Sequence, residues 1–170
     1  SVMLRSDLII AGSNFIFSHI NENYSSFLNS SKKLLTIFRG INLEYFDSKQ
    51  INNSEELKLI KEWKIDKSLN FYEKKIILFP ARLTSWKGQE MFIESLNIFK
   101  QKNPDKKFYA IILGSDQGRK IFKKKIQRLV EQYRLINDVI FIENYKNMPL
   151  AYKISDIVVS CSIEPEAFGR

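Results

Sequence analysis

The sequence predicts an α/β fold, a Rossmann-like doubly wound parallel sheet with helices on both faces. Two observations lead there. Six short apolar runs are continuous rather than alternating, as in strands buried on both faces. Amphipathic segments of helical period separate them, an order that builds βαβ units.

Taken in order, Leu8 to Ala11 is the first strand, and Asn14 to Tyr24 is a helix that Ser13 is placed to cap. Leu34 to Phe38 is the second strand. Arg39-Gly40-Ile41-Asn42 follows as the boundary, because Gly and Asn end the strand and the next stretch turns polar. Residues 1–38 are thus expected to close one unit and residues 39–170 to form a second. Lys49 to Asn53 is read as a surface connection. The helix Ser54 to Trp63 opens with Ser54-Glu55-Glu56, acidic groups suited to a helix start.

The strand Ile76 to Pro80 leads to a helix from Gln89 to Lys100, with Phe92, Ile93, Leu96 and Phe99 on one face. The strand Phe108 to Leu113 leads to a helix from Arg119 to Tyr133, with Phe122, Ile126, Leu129 and Tyr133 on one face. Val139 to Ile142 and Ile157 to Cys161 complete the strands. There is no internal repeat and no low-complexity tract.

The composition fits a packed domain: 170 residues, 44% hydrophobic and 13% aromatic, which excludes wholesale disorder. The single cysteine, Cys161, excludes an internal disulfide and a zinc site of several thiolates, and fits a reducing compartment. No apolar run reaches the roughly 20 residues that cross a bilayer, and no leader pattern is visible. The expected location is cytoplasmic. The net charge of +8 invites nucleic acid as a partner, but Lys outnumbers Arg 20 to 7. Arg is the better reader of phosphates and base edges, so a solvated Lys-rich surface is favoured and no nucleic acid is expected.

In a parallel sheet of this kind the ligand sits outside the carboxyl ends of the strands. Four loops follow strands there. Ala81 to Gly88 carries Arg82 and Lys87 and opens into a helix, a setting in which two cations and free helix-start amides suit a diphosphate. Gly114-Ser115-Asp116-Gln117-Gly118 and Glu143-Asn144-Tyr145 come next. Ser162 to Arg170 holds Glu164 and Glu166 around Pro165, and carboxylates accept hydrogen bonds from sugar hydroxyls. An acidic and a basic loop on one rim suit a ligand with a polyol end and an anionic end, such as a nucleotide sugar. Exposed loop cations and a helix-start acid are the competing readings of the same residues.

With Arg82-Leu83, Lys87-Gly88 and Glu166-Ala167-Phe168-Gly169 in order, the chain resembles the retaining GT-B glycosyltransferases, specifically glycosyltransferase family 4. Arg39-Gly40-Ile41-Asn42 with Phe46 resembles the family's hinge segment, and Ser6 to Ser13 resembles the last strand of its N-terminal domain. The likeness runs collinearly along nearly the whole chain.

The resemblance implies a partial C-terminal, donor-binding domain and a transferase that moves a sugar from a nucleotide-diphosphate sugar to an acceptor with retention, in lipopolysaccharide or other surface-glycan biosynthesis. It implies that Arg82 and Lys87 bind the donor diphosphate, that Glu166 faces the transferred sugar, and that the amides of Ala167, Phe168 and Gly169 contact sugar hydroxyls or phosphate. Gly114, Ser115, Glu143, Asn144 and Tyr145 would lie near the nucleoside. As the bond to the diphosphate lengthens, negative charge grows on the leaving phosphate, so fixed cations stabilise the transition state more than the ground state. No cofactor and no metal are expected. The acceptor, a glycan or lipid-linked molecule, would belong to a missing N-terminal domain.

Ala81 departs from the family's usual Gly, and the family's second glutamate would fall beyond Arg170. The chain is therefore expected to be a fragment, inactive alone.

Other residues draw plainer readings. His19 is read as a half-exposed helix residue, Cys161 as a small core residue, and Trp63 and Trp86 as packing or loop residues rather than base-stacking platforms. Lys123-Lys124-Lys125 with Arg119, Lys120 and Arg128 is read as one solvated helix face, with peripheral contact to an anionic membrane as its functional alternative. Two other function classes stand beside the enzyme: a non-catalytic nucleotide-binding regulatory module and a basic nucleic-acid-binding domain.

Overall fold

A computed structural model describes residues 5–28, 33–65, 74–164 and 166. They divide into two compact units: the residues up to Asn42 with Glu166, and Leu43–Glu164.

In the first unit β1 (Leu8–Ala11) pairs in parallel with β2 (Lys33–Thr36), Leu8 opposite Lys33 and Ala11 opposite Thr36. Helix α1 (Asn14–Asn23) connects them and packs on both. The Ser13 hydroxyl accepts the Ile16 N–H at 3.2 Å, the expected cap. Ile9 and Ala11 are buried while Leu8 and Ile10 are exposed, so these strands alternate rather than being buried on both faces. Within this unit α1 covers one face. The second strand stops at Thr36, short of Phe38, although the Ile37 N–H still bonds the Ala11 carbonyl at 3.0 Å. His19 is exposed rather than half-exposed, its ring near those of Phe15 and Tyr24.

In the second unit β3 (Lys74–Pro80), β4 (Lys107–Leu113), β5 (Val139–Ile142) and β6 (Ile157–Val158) form a parallel sheet in the order β5-β4-β3-β6. Four helices accompany it: α2 (Asn53–Glu62), α3 (Gln89–Lys102), α4 (Lys120–Gln132) and α5 (Met148–Lys153). Strand β4 shows why both faces are covered. Tyr109, Ile111 and Leu113 join a core with Leu59, Ile60 and Leu150 of α2 and α5, whereas Phe108, Ala110 and Ile112 join one with Phe92, Ile93 and Ile126 of α3 and α4. Successive side chains of a strand point to opposite faces, so a continuous apolar run feeds both layers.

Four details differ from expectation. Helix α5 takes the place of the last helix in the βαβ order, for which no bounds were read: Asn147 caps it, accepting the Leu150 N–H at 3.2 Å, and Pro149 stands in its first turn. Helix α2 starts at Asn53 rather than Ser54, capped by Asn52 in a capping box with Glu55, so the connection ends a residue early. Strand β6 is shorter than Ile157 to Cys161 and its residues are half-exposed, because among the described residues it has only β3 as a neighbour. Phe99 is 41% exposed, and Val130 is buried where the α4 stripe had omitted it.

The chain winds outward from β3 through β4 to β5 and then returns to lay β6 on the other side of β3. The winding direction reverses between β3 and β6, which makes their carboxyl ends the topological switch point.

Candidate functional site

The loops at the carboxyl ends of these strands are joined by their own backbones. The Ala81 N–H bonds the Leu113 carbonyl at 3.0 Å, Leu83 N–H bonds Ser115 carbonyl at 3.1 Å, and Gly114 N–H bonds Ile142 carbonyl at 2.9 Å. Across the switch point the Ile163 N–H donates to the Trp86 carbonyl at 2.9 Å.

Two glycines make the close approaches possible. Gly88 has φ +81°, and a Cβ there would lie 2.0 Å from the Cys161 carbonyl oxygen. A Cβ on Gly114 would lie 2.2 Å from the Ala81 carbonyl oxygen. The segments that follow β3, β4 and β6 are therefore packed main chain to main chain.

On this base stand the two predicted cations. Arg82 is exposed and Lys87 half-buried, the latter closing a 3₁₀ turn, Ser85–Lys87. The indole of Trp86 lies between them in sequence and against both in space: Lys87 Nζ is 4.3 Å and Arg82 Cζ is 5.8 Å from its ring centre. Both fall within the range of a cation–π contact. Arg82 Nη1 also donates to Gln117 Oε1 at 3.5 Å, and Arg119 Nη1 donates to the same oxygen at 2.9 Å.

Beneath the loop, Gln89 is fully buried and its Nε2 donates to the Arg82 carbonyl at 2.7 Å. Among the described residues Gln89 Oε1 and Thr84 Oγ1 are buried side-chain atoms with no hydrogen-bond partner. Such atoms are costly and uncommon away from functional sites.

The remaining predicted residues are placed differently from one another. Ser115 accepts the Gln117 N–H on its hydroxyl at 3.1 Å, shaping the loop after β4. Asn144 adopts φ +54°, the left-handed region that Asn tolerates. Glu143 pairs with Lys123 of α4. That hydrogen bond, working against partial burial, holds the Lys123 ammonium above its ordinary pKa, with help from the charges of Glu143 and Asp116. Tyr145 turns its ring onto Trp63, centres 5.0 Å apart, and packs against the α2–α5 core. Burial pushes its phenol pKa up, and the carboxylates of Glu62 and Glu55 add to this.

Glu166 is half-buried and groups with the first unit. Ala167, Phe168 and Gly169 lie outside the described residues.

Five residues of the basic cluster, Arg119, Lys120, Lys124, Lys125 and Arg128, are exposed as a solvated face requires, and Lys123 alone is half-buried. Lys123 meets Glu143, Lys125 meets Glu90 at 2.5 Å, and Arg119 meets Gln117. Cys161 is half-buried beside the α3–α4 core, where burial pushes its thiol pKa up. Among the described residues no group of three or more His, Cys, Asp or Glu is placed to hold a metal ion, and no helix is long and apolar enough to cross a membrane.

Trp86 is the loop residue that the sequence suggested, but its contact with both cations, and the places of Gln89 and Gln117 beside Arg82, were not foreseen. A polar residue directly after Gly88 at a helix start was the one available signal for Gln89.

Comparison with known proteins adds a family to this geometry. The family model described as "Glycosyl transferases group 1" matches residues 61–170. A crystal structure of a glycosyltransferase from Rickettsia africae ESF-5 is similar at 33% identity and a TM-score of 0.84, over 100% of this chain and 42% of that one. The Anabaena protein Alr3699/HepE in complex with UDP and glucose is similar at 22% identity and a TM-score of 0.75, over 97% of this chain and 40% of that one. Spore coat protein SA of Bacillus subtilis (strain 168) is 24% identical over 168 residues, 95% of this chain and 42% of that protein. The chain thus spans about two fifths of the length of these relatives.

Proposed function

The chain belongs to the glycosyl transferases group 1 family, and from that premise we propose that it carries the donor site of a retaining glycosyltransferase, binding a nucleotide-diphosphate sugar at the carboxyl edge of the four-stranded sheet. The observation that carries this reading is the placing of Arg82 and Lys87 on a loop whose backbone is fixed at the switch point between β3 and β6. Two cations five positions apart, on an anchored main chain, suit two bridged phosphates. A similar fold holding UDP and glucose in the Anabaena protein supports the choice of ligand class.

Arg82 and Lys87 take the diphosphate, and the leaving-group charge that develops as the glycosidic bond breaks is met by groups already in place. Fixed side-chain cations supply this stabilisation without a metal ion. The role we propose for Glu166 is to face the transferred sugar. On the nucleoside side, Gly114, Ser115 and Asn144 contribute main chain and small polar groups. Glu143 meets the ligand only by leaving Lys123, and Tyr145 serves from within the core by shaping the loop. The acceptor is a glycan or lipid-linked molecule of the cell surface, such as lipopolysaccharide, bound outside this chain.

Titration calorimetry with UDP tests the site. Saturable binding is expected, weakened about tenfold or more by Arg82→Ala or Lys87→Ala. Unchanged affinity in both variants removes the diphosphate assignment. If nucleic acid is the true ligand, affinity for DNA falls linearly with salt on logarithmic axes and ignores these two residues.

A further inference from the structure

We propose that Trp86 is a positioning residue of the donor site, its indole holding the Arg82 and Lys87 side chains in the arrangement that receives the diphosphate. The proposal rests on the donor-site reading above and adds to it a residue that touches the cations rather than the donor.

Two flexible cations on one short loop repel each other, and each loses rotamer freedom when an anion orders it. An aromatic face attracts both and restrains both. In the structure Lys87 Nζ and Arg82 Cζ lie 4.3 Å and 5.8 Å from the centre of the same ring. The backbone that carries the ring is held in place. The Trp86 carbonyl accepts the Ile163 N–H at 2.9 Å, and Gly88, two positions on, sits against the Cys161 carbonyl. Core packing does not explain the residue: Trp86 is half-buried and belongs to neither hydrophobic cluster. Trp63 shows the contrast, 3% exposed and packed on Tyr145 within the core. Preorganisation of this kind raises affinity without a new contact to the ligand.

The test measures UDP, inorganic pyrophosphate and uridine binding to the purified protein and to Trp86→Phe and Trp86→Leu. Trp86→Leu keeps apolar bulk and loses the π face, so UDP and pyrophosphate affinity are expected to fall about three- to tenfold while uridine affinity stays the same. Trp86→Phe, a weaker but real cation–π partner, is expected to recover most of the loss. Should Trp86→Leu aggregate, Trp86→Gln makes the same comparison.

UDP binding is also expected to change indole emission in a way that Trp86→Phe, which retains Trp63, abolishes. Equal pyrophosphate affinity in Trp86→Leu and the unmodified protein overturns the proposal while Arg82→Ala still tests the donor site. A parallel loss for uridine, or a Phe variant no better than Leu, shows a packing role and overturns it too. Absence of UDP binding to the unmodified protein overturns the donor-site reading itself.

Discussion

The carboxyl and amino ends of the four-stranded sheet are built from the same strands and held together differently. At the amino end side-chain ties are added to main-chain ones: Lys75 pairs with Asp156 at 2.7 Å, Lys100 with Asp138 at 2.5 Å, and Lys74 Nζ donates to the Tyr109 hydroxyl at 2.9 Å. At the carboxyl end the ties are between main chains, with Gly88 and Gly114 making the contacts that any side chain would block. Arg82 and Lys87 there lie against an indole, and Arg82 also meets an amide oxygen. One end ties its strands with ion pairs, and the other sets two cations on a backbone fixed by close glycine contacts.

The sharpest way to break this contrast is Gly88→Ala. The new methyl would meet the Cys161 carbonyl at 2.0 Å on a backbone of positive φ. A loss of about 3 kcal/mol in unfolding free energy is expected, read from urea denaturation. A loss below about 0.5 kcal/mol would show that the two segments separate at little cost. A smaller effect is expected for Gln89→Leu, which leaves the Arg82 carbonyl without the donor now 2.7 Å away. Stability should fall by about 1 to 2 kcal/mol, with UDP affinity falling as well. An unchanged UDP affinity would place Gln89 outside the support of the loop.

The smallest effect belongs to the amino end. Burial pushes the Asp156 carboxyl upward, but the Lys75 ammonium and the Ile76 N–H outweigh it and hold its pKa below the ordinary value. A depressed pKa contributes stability above the ordinary carboxylate range that is lost as the pH falls through the folded value. Urea midpoints of the unmodified protein and Asp156→Asn should therefore differ at neutral pH and converge as the pH falls below the ordinary carboxylate range, with no change in UDP affinity. A constant gap across that range would remove Asp156 from the acid response.

Strands β3, β4 and β5 were legible because continuous runs of Ile, Leu and Phe have one physical meaning when both faces are covered. The same rule misled at β1, β2 and β6, where cover depends on neighbours that a local run does not encode. The bounds of helix α5 were not legible because six residues give no periodicity to read, although Asn147 and Pro149 marked its start. Arg82 and Lys87 could be found from their place after a strand. What holds them could not, since the contact of two cations with Trp86 and the burial of Gln89 exist only after the chain has folded. The Lys123–Glu143 pair, joining α4 to the loop after β5, was hidden for the same reason.

The seat of Gly88 on Cys161 also gives the molecule a chemical handle. The chain has one thiol, half-buried and with its pKa raised by burial, at the point where the segments after β3 and β6 meet. A thiolate forms and reacts there fastest when that junction opens. The rate at which a small alkylating reagent modifies Cys161 therefore measures how often the switch point parts, and a ligand that ties the two segments together will slow it.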